Sequence, residues 1–490
     1  MLKPRPVLPP EGRAASAVLE AMDAAATDDA RWREGRTMSL VFHPGDEICD
    51  LVKQAYTRFF SENALNPSAF PSLRRFENEV VAMTAQLLGG DRHVVGNMTS
   101  GGSESILMAV KAARDWAEAT RRSGRWLGGV PQIVLPRSAH PAFPKACAYF
   151  GLEPVFTPVD RDFRADPRAM SKAISRRTIM LVGSAPAYPQ GVVDPIDEIA
   201  DLARAHDLWL HVDACVGGFM LPFVRSLGCP VPPFDFDVPG VTSVSADLHK
   251  YAYAAKGASV VLFRDAQRRR HMYYAFTDWP GGIYASPTMT GTRPGGAIAA
   301  AWAVMQHLGR EGYERIAAEV MEATGEIRRG IDAIDGVQVL GEPHMSVMAL
   351  GSESLDVYAI GDELSARGWH IDRQQHPASL HLTVQRGHVG RTDELLADLR
   401  AAVAVVQREH GERWAERSAM SLARAALRLL PARVSRALTL GVAARMGIGE
   451  GGSLPERSAP MYGMMASLPN RGDLKDLVLD ALDRMTRLDD

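Results

Sequence analysis

A lysine at the end of an apolar segment is the residue in this sequence whose type and setting best suit covalent chemistry. In SADLHKYAYAAKGASVVLF, residues 245–263, a strand-like stretch runs into a polar turn that carries His249 and Lys250, and a second apolar stretch follows. A lysine amine held in a crevice can form a Schiff base with an aldehyde cofactor. Most lysines are solvated surface residues, so this interpretation needs support from a second element.

The segment HVDACVGGF, residues 211–219, supplies that element. Asp213 closes an apolar run, where an unpaired carboxylate would be costly. It can pair with the protonated ring nitrogen of pyridoxal phosphate and keep the ring able to accept electrons. Alternatively, Asp213 caps the glycine-rich turn, or His211, Asp213 and His249 bind a metal, because strand alternation places His211 and Asp213 on one face. The cofactor hypothesis is favoured because it also accounts for Lys250.

Two further segments could bind the rest of such a cofactor. In MTSGGSESILMAVKAARD, small residues lead directly into an amphipathic helix, and the exposed N–H groups of Gly101, Gly102 and Ser103 form an anion site with the helix dipole. In SAHPAF, His140 follows a strand-like run, where its imidazole could stack on the cofactor ring. Each segment alone also fits a structural role, namely helix capping or an ordinary core or surface histidine.

The pattern around these residues predicts a mostly parallel α/β sheet. Strand-length apolar runs alternate with helix-length segments, and the runs are QIVLP (132–136), TIMLVGS (178–184), LWLHVDA (208–214), VTSVSAD (241–247) and ASVVLF (258–263). Such alternation favours parallel strands with helices on both faces. Ligands of these sheets bind beyond the carboxyl ends of the strands, where the candidate residues fall.

The 490-residue length predicts more than one structural unit, because single cores tend to split beyond about 250–300 residues. We predict an N-terminal arm with helices over residues 1–75 and a cofactor-binding large domain over 76–300. A small α+β domain is predicted over 301–490. A long helix at 297–335 leads into the small domain.

Composition excludes several classes of protein. The chain has 55 basic and 58 acidic residues and a net charge of −3, so no basic face favours nucleic acid. No run approaches the roughly 20 apolar residues of a membrane-spanning helix, and MLKPRPVLPPEG lacks the apolar core of a signal peptide. The four scattered cysteines indicate reduced thiols of a cytoplasmic protein.

The segment 412–448 is unusually basic. Between Arg417 and Arg445 it carries six arginines and no acidic residue, with leucines at roughly helical spacing. Such a helix could lie on an anionic membrane surface. It could instead pack on the domain with a solvated basic face and a break at Pro431, and we favour this second interpretation.

Together these motifs resemble fold-type-I pyridoxal-phosphate enzymes of the group II decarboxylase type, and most closely the sphingosine-1-phosphate lyase family. The strongest likeness is TDWPGGIYASPTMTGTRPGG (277–296), and the resemblance runs from about residue 16 to about residue 461. It implies a pyridoxal-phosphate aldehyde-lyase that cleaves a phosphorylated sphingoid base, in retro-aldol fashion, to a long-chain aldehyde and phosphoethanolamine.

The resemblance also implies roles for the cofactor-binding residues. Lys250 would carry the cofactor, Asp213 would hold its ring nitrogen, and His140 would stack on its ring. The phosphate would be bound by the SGGS turn and by residues on other loops, namely Gly101, Gly102, Ser103, His249, Gly291 and Thr292. Since Gly291 and Thr292 would come from a neighbouring subunit, the resemblance implies a homodimer with shared active sites.

The implied substrate is an amphiphilic amine. Lys256 would bind the substrate phosphate or shuttle a proton, and Tyr284 and Tyr188 would line the reacting end. The family loop Asn-Pro-Leu-His-Pro reads NALNP here, which retains Asn63 but has Asn66 in place of the histidine that helps to bind the substrate phosphate. Asn66 can donate a hydrogen bond but carries no charge.

Two other functions remain open from the sequence. An amino-acid decarboxylase on the same fold would use the same electron sink but would need a cation at the substrate carboxylate. A catalytically silent scaffold is the other alternative, and the retention of both Lys250 and Asp213 argues against it.

Overall fold

The computed structural model describes residues 7–66, 68–120 and 129–412, together with positions 475, 478, 479, 482 and 483. Its helices are α1 (Ala15–Ala25), α2 (Asp46–Arg58), α3 (Pro71–Leu87), α4 (Gly102–Thr120), α5 (Ala142–Phe150), α6 (Pro167–Ala173), α7 (Ile196–Ala205), α8 (Leu221–Ser226), α9 (Ala266–Arg270), α10 (Gly295–Asp332), α11 (Val357–Ala366) and α12 (Thr392–Glu412). Its strands are β1 (Val95–Thr99), β2 (Gln132–Pro136), β3 (Glu153–Thr157), β4 (Thr178–Ser184), β5 (Trp209–Asp213), β6 (Ser243–Ala246), β7 (Ser259–Phe263), β8 (Tyr274–Phe276), β9 (Tyr284–Ser286), β10 (Gln338–Val339), β11 (Val347–Gly351), β12 (Asp372–Gln374) and β13 (Ser379–Thr383).

A seven-stranded sheet forms the centre of the fold, in the order β1-β7-β6-β5-β4-β2-β3. Strands β3, β2, β4, β5 and β6 run parallel, whereas β7 is antiparallel to both of its neighbours. The predicted mostly parallel α/β fold is therefore confirmed. The five apolar runs coincide with β2, β4, β5, β6 and β7 to within two residues at each end.

The two outermost strands, β1 and β3, gave no comparable sequence signal. Both lie at edges of the sheet, where a strand has only one neighbour. Strand β3 is partly exposed and contains Pro154, a residue that edge strands tolerate. Strand β1 contains Gly96 and Asn97, so it has no continuous apolar run.

Helices cover both faces of this sheet, which explains why its central strands are apolar throughout. Alternate residues of β2 pack against the helices on opposite faces of the sheet. Ile133 and Leu135 pack in one cluster with residues of α4 and α5, whereas Val134 packs in the other with residues of α3, α7, α8 and α10. Every residue of β4 is buried.

The chain then passes along α10 to a second sheet. The prediction of one long helix here needs correction, because Gly309 has non-helical dihedral angles (φ 55°, ψ −173°) and breaks α10 into two parts. Beyond it, four antiparallel strands in the order β10-β11-β13-β12 pack with α11 and α12 around their own core. The predicted domain limits at residues 75 and 300 stay predictions.

The fold places several loops at one edge of the large sheet. Strands β2, β4, β5 and β6 run parallel, so their carboxyl ends share that edge. The loops that follow them carry His140, Tyr188, the Asp213 turn and Lys250. The basic segment 412–448 lies almost entirely outside the described residues. None of the described helices is long and apolar enough to cross a membrane.

Candidate active site

An ion pair between Lys250 and Asp247 lies at the carboxyl end of β6. Lys250 Nζ is 2.8 Å from Asp247 Oδ2, and His249 Nε2 lies 3.7 Å from the same oxygen. The Asp247 side chain is only 2% exposed, whereas that of Lys250 is 25% exposed. The lysine therefore faces an opening while its counter-ion lies inside the protein.

Charge and burial act together on the groups of this turn. Burial alone would lower the pKa of Lys250, but the carboxylate of Asp247 outweighs it and holds the pKa above its ordinary value. Burial would raise the pKa of Asp247, yet the charge of Lys250 lowers it. Burial lowers the pKa of His249 to about 4, so this imidazole is neutral at physiological pH. In the free chain Lys250 is thus protonated and held in place.

The glycine turn before α4 packs directly against this cluster. A Cβ atom built on Gly102 would lie 2.8 Å from Cys215 Sγ and 2.9 Å from both carboxylate oxygens of Asp247, so only glycine fits there. A Cβ on Gly101 would lie 3.4 Å from His249 Cε1, which is a tighter contact than most real Cβ atoms make. Helix α4 begins at Gly102, so the free N–H groups of its first turn open beside Lys250.

Asp213 ends β5, the strand next to β6, and is buried. Its Oδ1 accepts hydrogen bonds from the Cys215 amide at 3.1 Å and from the Ser245 hydroxyl at 3.4 Å. Both hydrogen bonds seen in the described chain reach Oδ1, which leaves Oδ2 to bind a cationic ring nitrogen. The carboxylate is therefore held in place from one side and available from the other.

The metal hypothesis for His211, Asp213 and His249 is not supported. His211 is buried within the sheet, with Nδ1 at 2.8 Å from Ser243 Oγ and Nε2 at 3.2 Å from Ser245 Oγ, so both ring nitrogens already have partners. Across the residues that the structure describes, no group of three or more histidine, cysteine or acidic side chains could hold a metal ion.

His140 lies on the loop between β2 and α5. Its Nδ1 accepts a hydrogen bond from the Ala142 amide at 3.1 Å, which orients the exposed ring. Only β4 separates β2 from β5 in the sheet, so His140 and Asp213 leave the same edge two strands apart. Both residues therefore lie at the sheet edge where such a cofactor would bind.

Lys256 lies beside the N-terminal arm. Its Nζ donates to the carbonyl oxygens of Leu40 at 2.8 Å and His249 at 3.4 Å, and lies 5.6 Å from the centre of the Phe42 ring. Burial and then the charge of Lys250 lower the pKa of Lys256 below its ordinary value. No local pattern in the sequence predicted that residues 40–42 reach this lysine.

Tyr188 follows β4 and contacts the second sheet. Its ring stacks on that of His381, with centroids 4.0 Å apart and planes 19° apart, and its hydroxyl lies 3.4 Å from Asp372 Oδ2. Burial raises the pKa of Tyr188, and the charge of Lys250 partly opposes this effect. Burial lowers the pKa of His381 to about 4, and the charge of Lys250 acts in the same direction. Tyr188 therefore lies within electrostatic reach of Lys250.

The remaining predicted residues form a separate group. Tyr284 lies in β9, and a Cβ on Gly291 would lie 2.9 Å from the Tyr284 hydroxyl and 3.7 Å from the Leu65 side chain. This loop of residues 286–294 pairs with the loop of Asn63, through a bridge to Pro294. The group also contains Thr292 and Asn66. Within the described chain, no hydrogen bond or ion pair joins these residues to Lys250 or Asp213.

One carboxylate nevertheless links that loop to the glycine turn. Glu104 Oε1 accepts from the Met289 amide at 2.9 Å, and its Oε2 accepts from the Ser100 amide at 2.6 Å. Asn63 and Asn66 both use Oδ1 locally, to accept from the amides of Leu65 at 3.1 Å and Ser68 at 2.9 Å. The two asparagines thus shape their own loop in this structure.

Three residues of the site were not predicted from the sequence. Asp247 had a local signal, since its spacing of three residues from Lys250 suits an ion pair. Asp372 and His381 had none, because they lie on short strands far along the chain and approach Tyr188 only through the tertiary fold.

The donor set fits pyridoxal phosphate. Gly102 lets the first turn of α4 pack against Cys215 and Asp247, and the free N–H groups of that turn can bind a phosphate. Lys250 offers an amine and Asp213 an oxygen for the ring nitrogen. We infer that these residues would hold the cofactor at the carboxyl ends of β5 and β6.

Comparison with known proteins agrees with this geometry. Residues 30–350 match the family model of the pyridoxal-dependent decarboxylase conserved domain. The sphingosine-1-phosphate lyase of Arabidopsis thaliana is 40% identical over 97% of this chain and 80% of its own length. That of Dictyostelium discoideum is 43% identical over 82% of this chain and 75% of its own length.

Solved structures extend the comparison. A sphingosine-1-phosphate lyase of Burkholderia pseudomallei superposes with a TM-score of 0.79 and 38% identity, covering 84% of this chain and 95% of the other. A glutamate decarboxylase of Lactobacillus brevis gives a TM-score of 0.72 at 18% identity, which shows a shared fold alone. With its site geometry and these relatives, the chain belongs to the sphingosine-1-phosphate lyase family and is a pyridoxal phosphate-dependent lyase.

Proposed function

We propose that this chain cleaves a phosphorylated sphingoid base to a long-chain aldehyde and phosphoethanolamine. The observation that carries the proposal is the convergence of Lys250, Asp213 and the Gly102 turn at one sheet edge, in a chain about 40% identical to sphingosine-1-phosphate lyases over most of its length. The first relatives are matched over three quarters or more of their own length.

Each residue of the site has its own role in such a cleavage. Pyridoxal phosphate, when bound, supplies an electron sink for the pair of the breaking Cα–Cβ bond. Lys250 would hold the cofactor covalently, Asp213 would keep its ring nitrogen protonated, and His140 would pack on the ring. The protein then orients the substrate and moves the proton of its 3-hydroxyl group.

Lys256 is the cation best placed for the substrate phosphate. It follows Lys250 in the loop after β6, and its lowered pKa suits a proton donor. Asn66 adds no charge, and its side chain is engaged with Ser68 in the free chain. We propose that Lys256 supplies most of the phosphate recognition, with Tyr284 near the reacting end.

Product analysis on a mixed amine panel tests the proposed function. Purified chain loaded with cofactor is given a phosphorylated sphingoid base, its unphosphorylated analogue and a set of amino acids. We expect fatty aldehyde and phosphoethanolamine from the first compound only. Release of CO₂ from an amino acid, without aldehyde, would favour the decarboxylase alternative and contradict the proposal.

We further propose a homodimer with shared active sites. Among the described residues, no hydrogen bond joins Gly291 or Thr292 to the Lys250 cluster of their own chain, which supports their service to a neighbouring subunit. The β8–β9 hairpin beside them exposes large apolar side chains, namely Tyr274, Phe276, Trp279 and Ile283. Sedimentation equilibrium tests the dimer, and a mixture of Lys250→Ala and Thr292→Ala chains should regain activity if the sites are shared.

We also propose a reducing compartment, and contact with anionic lipid is the alternative to the favoured packing of the basic segment on the domain. All four cysteines are free thiols in the structure, which supports the first. Six arginines without an acidic residue between Arg417 and Arg445 support the second. Liposome sedimentation at low and high salt tests it, since binding through these charges should be lost as the salt concentration rises.

A further inference from the structure

Two residues of the second sheet hold Tyr188 between them. Asp372 and His381 are directly opposed partners on the antiparallel strands β12 and β13. The Tyr188 ring stacks on His381 while its hydroxyl lies 3.4 Å from Asp372 Oδ2. The cross-strand pair Asp372 and His381 of the second sheet therefore fixes the ring plane and the hydroxyl of Tyr188, which lies in the loop after β4 of the large sheet.

His381 is itself fixed by hydrogen bonds. Its Nδ1 lies 2.9 Å from the Gln374 side-chain nitrogen and its Nε2 lies 2.7 Å from Thr383 Oγ1. The Gln374 amide also donates to the Pro189 carbonyl at 2.9 Å and accepts from Ser379 at 3.0 Å, which fixes its orientation. Nδ1 of His381 is thus an acceptor and Nε2 a donor, so the imidazole is a neutral, immobile platform for Tyr188.

Asp372 connects Tyr188 to solvent. Its side chain is 35% exposed, and its other oxygen lies 3.8 Å from Nε2 of His370, which is 47% exposed. A proton that reaches this carboxylate can therefore leave to water. On the opposite side, the Tyr188 oxygen keeps its lone pairs free for a hydroxyl donor, because its own hydrogen points to Asp372.

We propose that Asp372 is the final acceptor of the substrate hydroxyl proton, which reaches it through Tyr188 held on His381. This inference rests on the proposed retro-aldol cleavage. Tyr188 is the group that touches the substrate, and Asp372 and His381 act through it. The 3.4 Å separation suits such a step, since catalytic hydrogen bonds are often long in the free enzyme and tighten when substrate binds.

The step balances as two coupled proton transfers. As the Cα–Cβ bond breaks, its electron pair stays on Cα, and the C–O bond of the hydroxyl carbon becomes a carbonyl. The hydroxyl proton becomes strongly acidic at that moment and passes to the Tyr188 oxygen. The Tyr188 hydroxyl proton passes at the same time to Asp372, which becomes a neutral acid and later releases its proton to water.

A double-mutant cycle on the holoenzyme tests the relay. Asp372→Asn should lower kcat on the order of 100-fold with little change in KM, because an amide cannot take up the proton. Tyr188→Phe keeps the stacked ring and should lose a similar factor. If Asp372 acts through Tyr188, the double variant should be no slower than Tyr188→Phe alone. Multiplied losses, or an Asp372→Asn variant with near wild-type kcat, would overturn the proposal.

Two controls separate this outcome from misfolding. Asp356→Asn changes the same residue type in the N-cap of α11 and should leave kcat unchanged. If Asp372→Asn does not fold, Asp372→Ser replaces it with a small side chain that also cannot accept the proton. His381→Leu removes the stacked imidazole and should raise KM as well as lower kcat, since the tyrosine is no longer held.

A measurement without substrate or cofactor tests the link between Tyr188 and Asp372 separately from the proposed function. The chain is labelled with 3-fluorotyrosine, and the Tyr188 resonance among 11 tyrosines is assigned by its loss in Tyr188→Phe. Burial and the Asp372 carboxylate raise the pKa of Tyr188, whereas Lys250 opposes them, so Asp372→Asn should let the phenol ionise at lower pH. An unshifted titration would contradict the link. Absence of aldehyde from wild type would contradict only the proposed function.

Discussion

The ammonium group of Lys250 lies 2.8 Å from the carboxylate of Asp247, which is buried under the glycine turn of α4. A lysine must lose its proton before it can attack an aldehyde. The pair therefore holds the amine in position but also keeps it protonated until the cofactor arrives. This relationship gives a pH dependence that can be tested.

Asp247→Asn should lower the pKa of Lys250, because the partner that raises it is lost while burial, which lowers it, remains. Covalent attachment of pyridoxal phosphate to the free chain should then begin at lower pH than in wild type. Borohydride trapping across a pH series measures the midpoint. Asp265→Asn, at the N-cap of α9, is the matched control and should not move it. A midpoint unchanged in Asp247→Asn would exclude this role.

Gly102→Ala and Gly101→Ala form a matched pair for the cofactor cradle. The new methyl group of Gly102→Ala would lie 2.8 Å from Cys215 Sγ, whereas that of Gly101→Ala would lie 3.4 Å from His249 Cε1, a much milder contact. Overpacking of this kind costs about 1–3 kcal/mol, so the first variant should bind the cofactor at least about 5-fold more weakly. Fluorescence titration measures both, and equal affinities would show that the turn is not part of the cradle.

Lys250→Ala should abolish the borohydride-trapped adduct on the peptide 245–256. The same peptide also contains Lys256. Fragmentation of the peptide in the mass spectrometer is therefore needed to show which of the two lysines carries the adduct. Lys256→Met serves as the control and should retain the adduct. An adduct on Lys256 in wild-type protein would mean that the cofactor is carried by the other lysine.

Asp213→Ala should separate binding from turnover. The phosphate cradle is intact in this variant, so some cofactor should still bind. The rate should fall roughly 100- to 1000-fold, because the stabilising partner of the ring nitrogen is gone. Cofactor absorbance and aldehyde release are measured on the same sample, and near wild-type turnover would place the ring partner elsewhere.

Asn66→His and Lys256→Met test how the substrate phosphate is recognised. Asn66 is exposed, so a histidine there, protonated below about pH 6.5, should tighten binding only about two- to five-fold. Lys256→Met should weaken binding of the phosphorylated substrate more strongly, since it removes a compact ammonium charge. Competition assays compare each substrate with its unphosphorylated analogue, which neither variant should affect. If neither variant distinguishes the two compounds, the phosphate is bound at another place.

The sequence determined much of the large sheet and the chemical character of the site. Strands β2 and β4 coincide with the apolar runs because they are covered on both faces and must be apolar throughout. Lys250 and Asp213 were found because charged residues at the ends of such strands need a reason to be there. Gly102 was found because a helix that begins in a run of small residues offers free N–H groups.

Only the tertiary structure decided what surrounds these residues. Strand β12 has three residues and no apolar pattern, so nothing local marked Asp372 as a neighbour of Tyr188, 184 residues earlier. Leu40 reaches Lys256 for the same reason, through a chain separation of 216 residues. Periodicity and propensity act over one helix or strand, whereas these contacts depend on how two separate cores pack together, which no local pattern encodes.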